Sequence, residues 1–280
     1  MISRRQFHSL ALSALPAFGA KLDSKVAGVQ IGVQSYSFRD RPLDKAIEAM
    51  AEAGLSSCEL WQGHVEPRDL RGPDLAKWRT TVSLDEIRAI RKKFDKAGVQ
   101  IYAYNYSFKD NFSDEEIARG FEMAKALGVR RITASANVKT SARIDPHARK
   151  AKIWVGMHNH SNIKANEFAT PEDFAEAMKG MSEYIAINLD IGHFTAAGFD
   201  AVDYLKKNHE RIVTLHIKDR KKNQGANVPF GEGDTPIKET LAVLKEYRWK
   251  IPANIEYEYK GADSLVEVKK CYEYCRKALA

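Results

Sequence analysis

One complete strand–helix–strand repeat occupies residues 100–135, QIYAYNYSFKDNFSDEEIARGFEMAKALGVRRITAS. Aromatic and β-branched residues predict one strand at 100–104 and another at 131–135. Between them, Ser113 stands three residues before Glu116, and the apolar periodicity ends at Gly128; these are the start and stop signals of a helix. The same alternation continues to the last residue, which is typical of parallel strands joined by crossover helices.

Eight such strands are predicted along the chain. They cover 29–36, 57–61, 100–104, 131–135, 153–158, 185–190, 212–218 and 253–257. The helical patterns between them include LDKAIEAMAEAG, SLDEIRAIRKKFDKAG, SDEEIARGFEMAKALG, TPEDFAEAMKGM and TPIKETLAVLKEY. Eight βα units in about 255 residues match the usual size of a TIM barrel, so the prediction is an α/β fold with a single (β/α)8 barrel over 25–280. A doubly wound open sheet is the alternative, but no Gly-rich phosphate fingerprint follows the first strand.

The amino terminus is predicted to be an export signal over residues 1–20 that the mature protein lacks. It begins with a positive region, continues with a modestly apolar stretch and ends in small residues. Ser3-Arg4-Arg5-Gln6-Phe7 resembles the twin-arginine leader, which favours a periplasmic location. The alternatives are an ordinary basic start of a Sec signal and an Arg pair without a role. The apolar stretch is shorter than the about 20 residues that a membrane-spanning helix needs, so no membrane span is expected after signal removal.

Composition excludes several classes of protein. The 280 residues contain 44 Lys and Arg against 37 Asp and Glu, and the net charge of +7 becomes +5 without Arg4 and Arg5. Since the basic residues are dispersed among acidic ones, no nucleic-acid partner is expected. Three cysteines are too few for a disulfide scaffold, and Cys58, Cys271 and Cys275 are interpreted as packing residues.

Residues with metal-binding side chains collect at the ends of the predicted strands. In a TIM barrel the active site lies at the carboxyl ends of the strands, and here those ends concentrate His, Asp and Glu. Their nitrogen and oxygen atoms are ligands for a divalent ion such as Mn²⁺, Zn²⁺, Co²⁺ or Mg²⁺. The alternative for each residue alone is a helix cap, a surface ion pair or a hydrogen-bonded histidine. Four in phase on successive strands favour one bound divalent metal, with these ligands: His158, Asp190, His216 and Glu256.

Five motifs in the second half of the chain resemble a known family. They are MHNHSN, NLDIGHFTAAG, LHIKDR, VPFGEGDTPI and NIEYEYK. Together they resemble the xylose-isomerase-like barrel superfamily of sugar phosphate isomerases and epimerases, from about Val29 to the carboxyl terminus. The resemblance implies a metal held by Glu, Asp, His and Glu at the ends of strands five to eight. Asp190, His216 and Glu256 match the last three positions, whereas His158 stands where the first Glu is expected.

The resemblance also implies a type of reaction. In the family, one glutamate removes a proton beside a carbonyl or hydroxyl group and the other returns it, through an enediolate that the metal stabilises. Glu256 keeps this acid/base role by resemblance, and His158 is predicted to be a ligand, a second base or both. Some inosose dehydratase relatives are similar in carrying a His-rich strand five, where loss of a leaving group follows proton abstraction. Elimination therefore stays open.

Further residues at the same strand ends are predicted to support the metal or to bind the substrate. His160 and His193 are expected to orient the ligands, or else to pack in the core. Glu59 and Trp61 end strand two, where the family often places a substrate-side Glu and an aromatic wall; the alternatives are a salt bridge and a core Trp. The loop at 230–234, FGEGD, is predicted to be a substrate-proximal lid or turn. The remaining candidates are Tyr36 and Tyr104 as faces for a sugar ring, and Lys218 and Arg220 as cations for a carboxylate or phosphate.

The predicted function is that of a metal-dependent isomerase or epimerase of a sugar or keto-sugar. Its nearest rival is a lyase or dehydratase with the same metal and the same carbanion chemistry. A non-catalytic sugar-binding barrel is another alternative, which the joint presence of Asp190, His216 and Glu256 disfavours. Export and dispersed charge disfavour the endonuclease branch of the superfamily, with its three-metal cluster. The expected partner is a small unphosphorylated sugar, because sugar phosphates are scarce outside the cytoplasm, and formation of a homo-oligomer is left open.

Overall fold

Eight parallel strands close into a barrel in this computed structural model, which describes residues 22–280. Each strand pairs with the next one along the chain, and the last pairs with the first. The predicted single (β/α)8 TIM barrel is therefore confirmed, whereas the predicted leader lies outside the described residues. The strands are β1 Val29–Gln34, β2 Ser57–Trp61, β3 Gln100–Asn105, β4 Arg131–Ala134, β5 Trp154–His158, β6 Ile185–Asp190, β7 Ile212–Ile217 and β8 Ala253–Ile255.

Helices surround the barrel and alternate with its strands. Their amino termini follow the sequence signals: in the fourth helix the Ser113 hydroxyl accepts the Glu116 N–H, and the Glu116 carboxylate accepts the Ser113 N–H in return. The third helix ends at Gly98, whose φ of 72° suits glycine. The helices are α1 Leu43–Glu52, α2 Gly72–Thr81, α3 Leu84–Ala97, α4 Asp114–Ala126, α5 Ser141–Ala151, α6 Pro171–Met178, α7 Ile191–Ala196, α8 Ala201–Asn208, α9 Ile237–Tyr247 and α10 Ser264–Leu279.

Strands β1 and β8 end two residues earlier than predicted. After β1 the chain turns into the 3₁₀ helix Ser35–Phe38. There the Ser37 hydroxyl donates to Ile255 O at 3.2 Å and accepts from Tyr257 N–H at 2.9 Å. Side-chain hydrogen bonds thus replace the backbone ladder at this edge, which frees the residues after β8 to turn toward the barrel axis.

The interior has an apolar zone and a polar zone. Apolar side chains of strands and helices form one continuous core between the barrel and the helices. The lumen is polar, since Glu59 on β2 reaches across it to His216 on β7 and Asn254 on β8. The polar lumen consists of these buried residues below the strand ends: Gln34, Glu59, Asn105, Thr133, Asn188, Thr214 and Asn254. Branched aliphatic residues usually fill this space in TIM barrels.

A short antiparallel hairpin follows β7. Asp219–Arg220 pairs with Asn227–Val228, with Arg220 opposite Asn227. It continues from the carboxyl end of β7, where the predicted site lies. The prediction that the cysteines are packing residues is confirmed, because all three are buried and none forms a disulfide within residues 22–280. In the same part of the chain, every helix is too short or too polar to traverse a bilayer.

Candidate metal centre

Four side chains from successive strands meet at the carboxyl end of the barrel. His158 ends β5, Asp190 ends β6, His216 lies on β7, and Glu256 follows β8. Each offers one ligand atom, and these four atoms lie within 4.8 Å of one another. His158 Nε2 is 3.4 Å from Asp190 Oδ2, and His216 Nδ1 is 3.1 Å from Glu256 Oε2. The strand ends thus bring all four predicted ligands together.

The donor atoms in this cluster are suited to a divalent cation. All four ligand atoms are buried, and none forms a hydrogen bond of regular geometry, although the Lys218 ammonium lies 2.8 Å from Glu256 Oε2 and 3.1 Å from Asp190 Oδ2. Buried polar atoms are rarely left without a partner, because an unpaired group costs about 1–3 kcal/mol. Two imidazole nitrogens and two carboxylate oxygens form a set that suits Zn²⁺, Mn²⁺ or Co²⁺. The residues present therefore fit the metal that the sequence predicts.

The buried carboxylate of Glu59 orients His216. Its Oε1 lies 2.9 Å from His216 Nε2. Because Glu59 requires a proton on Nε2, Nδ1 is the nitrogen of His216 that faces Asp190 and Glu256 and that would bind a metal. Burial opposes charge on the imidazole, but the Glu59 and Glu256 carboxylates outweigh it and raise the pKa of His216 well above its usual value. Glu59 therefore lies beneath the cluster as a support for one ligand.

Glu59 is itself held by neutral side chains of the polar lumen. Gln34 Nε2 and the Thr133 hydroxyl each donate to Oε1 at 2.6 Å, and Asn254 Nδ2 lies 3.3 Å from Oε2. The Asn188 amide lies 3.1 Å from His216 Nε2. Sequence analysis did not single out these four residues. Their only signal is an isolated polar residue at a lumen-facing position of an otherwise apolar strand.

The two carboxylate oxygens of Asp190 have different roles: one caps a helix and the other faces the metal-ligand cluster. Oδ1 accepts the His193 N–H at 2.7 Å and so caps α7, while Oδ2 points to the other ligand atoms. The Asn159 side chain makes two hydrogen bonds to the Asp190 backbone: its Oδ1 accepts the Asp190 N–H at 2.9 Å, and its Nδ2 donates to Asp190 O at 3.1 Å. Burial would raise the pKa of Asp190, but the Lys218 ammonium and nearby imidazoles lower it well below its usual value. The carboxylate is therefore ionised at neutral pH.

Lys218 lies inside the cluster and is 2% exposed. Its Nζ is 2.5 Å from Glu258 Oε2, 2.8 Å from Glu256 Oε2 and 3.1 Å from Asp190 Oδ2. These carboxylates overcome the effect of burial and raise the pKa of Lys218, so the ammonium stays charged. Sequence analysis predicts that Lys218 holds an anion of the substrate, but the structure pairs it with carboxylates of the protein. Glu258, which received no role from the sequence, completes this group.

A cavity of about 500 Å³ adjoins the cluster and includes His160, His193 and Arg220 in its wall. His193 Nε2 lies 3.1 Å from Lys218 Nζ, and its Nδ1 lies 2.7 Å from an Arg220 guanidinium nitrogen. Burial, followed by the Lys218 charge, lowers the pKa of His193 well below its usual value. Burial and the charge of His158 lower the pKa of His160 to about 3. Both imidazoles are thus neutral side chains between the cluster and the cavity.

The two tyrosines predicted to face a sugar ring occupy different zones. Tyr36 packs edge to face on Trp61, with ring centroids 5.0 Å apart, just beyond the ends of β1 and β2. Tyr104 is fully buried and opposes Ile132 in the ladder, while the adjacent lumen residue Asn105 opposes Thr133. Because side chains alternate along a strand, Tyr104 points into the helix layer, where it packs against Tyr106. The prediction that Tyr104 faces the substrate is therefore wrong.

The glycine loop at 230–234 is a turn held by Asp219. Its carboxylate accepts the backbone N–H of Gly231 at 2.7 Å, of Gly233 at 3.0 Å and of Thr235 at 3.2 Å. A Cβ on Gly233 would lie 1.9 Å from Asp219 Oδ1, so only glycine allows this approach. Phe230 packs on Tyr274 of α10. The glycines thus serve the turn.

Comparisons with known proteins agree with this architecture. Residues 47–276 match the family model described as xylose isomerase-like TIM barrel. An inosose dehydratase of Mesomycoplasma hyopneumoniae is 22% identical over 287 aligned positions, which cover 86% of this chain and 90% of that protein. The L-ribulose-5-phosphate 3-epimerase UlaE of Salmonella paratyphi C is 33% identical over 134 residues, 48% of this chain and 46% of that enzyme.

Solved structures show the same fold. The zinc-bound IOLI protein superposes with a TM-score of 0.66 at 16% identity, over 90% of this chain and 96% of that one. At this identity the likeness concerns the fold alone. The family model covers more than half of the chain, and the chain belongs to the xylose isomerase-like TIM-barrel family.

Proposed function

We propose that the protein is a metal-dependent isomerase or epimerase of a sugar or keto-sugar, which removes a proton from a carbon beside a carbonyl group. The observation that carries this proposal is the convergence of four buried ligand atoms, all within 4.8 Å of one another, at the strand ends. The match to an L-ribulose-5-phosphate 3-epimerase, although it covers half of each chain, supports this reaction class. The zinc in the IOLI protein supports a metal in the same fold.

Glu256 is the proposed base. Burial would raise the pKa of Glu256, but Lys218 and His216 lower it below its usual range, so the carboxylate is ionised at neutral pH and able to accept a proton. A divalent cation at the cluster would polarise the substrate carbonyl and stabilise the enediolate that forms when the proton leaves. The neutral imidazole of His193 lies between the cluster and the cavity, where its two ring nitrogens face Lys218 and Arg220 and hold these cations in place.

His158 replaces one of the two glutamates that the family uses. Its Nε2 faces Asp190, and its other ring nitrogen, Nδ1, lies 3.4 Å from the Ser135 hydroxyl. Both nitrogens thus have neighbours suited to a ligand role, and no second carboxylate stands on β5. We therefore infer a single-base site in which Glu256 exchanges the proton and His158 holds the metal.

Elimination is the second candidate reaction. The inosose dehydratase aligns with most of this chain, and the proton abstraction that starts an elimination needs the same base and the same cation. The two reactions differ in their products. Incubation of metal-loaded protein with a panel of neutral keto-sugars in D₂O, followed by NMR and mass spectrometry, separates them, since elimination removes a group whereas epimerisation only introduces deuterium.

Two variants test the residue roles. Asp190→Ala should abolish metal retention and leave a folded barrel, because strand-end residues serve function more than the core. Glu256→Gln should remove deuterium exchange, whereas the exposed Glu246→Gln should retain it. Full metal occupancy in Asp190→Ala would place the metal elsewhere. A metal-bound protein that exchanges no proton in any sugar of the panel would favour a sugar-binding barrel instead.

A further inference from the structure

The cavity beside the metal centre contains two cations without carboxylate partners. Arg220 is 9% exposed, and the exposed Lys109, on the loop after β3, lines the same cavity. Among residues 22–280, neither has an Asp or Glu oxygen within 4.0 Å. Glu167 also borders the cavity but lies beyond that distance from both. Buried charges in proteins are usually paired, so the unpaired guanidinium of Arg220, with the Lys109 ammonium in the wall of the same cavity, points to an anionic ligand.

The contacts of each cation keep it in place without neutralising it. The Arg220 guanidinium donates to Gly225 O at 2.6 and 3.1 Å and to the Ser161 hydroxyl at 2.8 Å. Lys109 Nζ donates to Ser135 O. These acceptors are neutral. Burial lowers the pKa of both cations, as expected for charges that lack a counter-ion.

Neutral polar groups complete the wall of the cavity. The side chains of Asn137, Asn162, Gln224 and Asn227 line it. The buried Oδ1 of Asn227 has no hydrogen-bond partner. Amide groups of this kind donate to and accept from hydroxyl groups, so the cavity suits a polyhydroxylated ligand that also carries a negative charge.

His193 lies between the cavity and the metal centre and contacts residues of both. One ring nitrogen of His193 lies 2.7 Å from Arg220, and the other lies 3.9 Å from Asp190 Oδ2. A ligand whose carbonyl group reaches the metal centre therefore extends past His193 to Arg220. This arrangement places the reacting carbon and the charged group of one molecule at opposite ends.

We propose that the substrate is a sugar acid, whose carboxylate lies between Arg220 and Lys109 while its carbonyl end lies at the metal centre. This inference rests on the proposed function for the carbonyl end only. The contacts of Arg220 leave one N–H of its guanidinium free, so a carboxylate accepts one hydrogen bond there and another from the Lys109 ammonium. A phosphate ester offers the same oxyanion chemistry, and the test separates the two sources.

The test measures binding of matched hexoses, hexuronates and hexose 6-phosphates to metal-loaded protein by calorimetry. We expect the hexuronates to bind at least about tenfold more tightly than the hexoses, because hydrogen bonds to charged groups are the strong ones. Lys109→Gln and Arg220→Gln should each remove most of this preference. The exposed lysine of α4 provides the matched control, Lys125→Gln, which should keep it.

The outcomes are distinct. A preference for hexuronates that both variants retain would overturn the proposal, and so would equal binding of acids and neutral sugars. Tighter binding of the phosphates than of the uronates would overturn the assignment of a carboxylate. If circular dichroism shows that Arg220→Gln does not fold, the test uses Arg220→Lys and Lys109→Gln, which should also reduce the preference for hexuronates. Deuterium exchange into neutral sugars without any preference for acids would refute this inference alone, whereas acid preference without exchange in any sugar would refute the proposed function alone.

Discussion

Glu59 acts on the metal centre only through His216. It has no contact with the other three ligand atoms, and its carboxylate fixes which nitrogen of His216 carries the proton. We expect Glu59→Gln to weaken metal affinity about 10- to 100-fold, the usual loss when the hydrogen-bond partner of a ligand is changed. Metal titration of the purified protein measures this. Glu48→Gln, on the exposed face of α1, is the control and should bind metal as the parent does. Unchanged affinity in Glu59→Gln would refute the orienting role.

Replacement of Tyr104 tests whether its side chain points into the helix layer and away from the barrel lumen. Its hydroxyl is buried in the helix layer and has no hydrogen-bond partner. Tyr104→Phe should therefore leave the free energy of unfolding unchanged or raise it by up to about 1 kcal/mol, with no effect on turnover. Urea unfolding measures the first and a kinetic assay the second. The neighbouring Tyr106→Phe is the matched control, because its hydroxyl donates to Glu116 O at 3.2 Å, and it should lose about 1 kcal/mol.

The sequence predicts the metal-ligand residues at the strand ends well, but it does not predict which side chains surround and hold them. Asp190, His216 and Glu256 were predictable, because a resemblance marks their positions and strands end in a common plane. Tyr104 was misassigned because adjacent strand residues face opposite sides, and the pairing of β3 with β2 contains an irregularity between Cys58 and Glu59 that the sequence does not reveal. The unpaired state of Lys109 was not predictable either, since it depends on which carboxylates the fold leaves out of reach.

At the scale of elements, the turn at 230–234 depends on one side chain. The Asp219 carboxylate accepts two backbone N–H groups of this turn, from Gly231 and Gly233, and that of Thr235 just after it. We expect Asp219→Ala to lower the free energy of unfolding by about 2 kcal/mol, because three half-buried or exposed backbone donors lose a charged acceptor. Hydrogen exchange at Gly231 and Gly233 should become faster. Glu232→Ala alters an exposed side chain of the same turn and serves as the control. Equal stability of the two variants would contradict this account.

The hydrophobic periodicity of the sequence predicts where the strands lie, but it does not predict the residues at which they end. All eight predicted strands are present, and those at 57–61 and 185–190 match to the residue. The ends of β1 and β8 depend on the hydroxyl of Ser37, a contact between residues more than 200 positions apart. Local patterns cannot report such a contact. The same limit applies to the hairpin that brings Arg220 opposite Asn227.

For the whole molecule, His64 makes stability depend on pH. Its Nε2 donates to the carbonyl groups of Phe38 and Arg41 at 3.3 Å, and its Nδ1 lies 2.9 Å from Ser35 Oγ. Burial lowers the pKa of His64 from 6.5 to about 4. Since the unfolded chain then binds the proton more readily, the contribution of His64 is fully present above pH 6.5 and is lost as the pH falls toward 4.

The size of this effect follows from the shift. Between pH 7.5 and pH 5 the parent should lose about 2 kcal/mol more stability than His64→Gln does. Urea unfolding at the two pH values measures the difference. His209→Gln, which alters an imidazole stacked on Trp249 outside the barrel, is the control and should lose as much as the parent. An identical pH dependence of His64→Gln and the parent would contradict the assignment.

Export is a proposal for the intact chain. We propose that residues 1–20 are removed after transport by the twin-arginine route, so that amino-terminal sequencing of exported protein should find a start near residue 21. Replacement of Arg4 and Arg5 by Lys should retain the full-length chain in the cytoplasm. An intact Met1 in exported protein, or unchanged export of the double variant, would refute this route.

The hydrogen-bonded lumen restricts which substitutions such a barrel can accept during evolution. Thr214 and Asn254 bond at 2.7 Å, and both belong to the same group of side chains as Gln34, Glu59 and Thr133. An aliphatic replacement at one position leaves its neighbours unpaired, which is costly, whereas a joint replacement of all of them restores packing. Descendants of this sequence should therefore alter these positions together or keep them all, and aligned descendants should show them as one covarying group that spans strands distant in the chain.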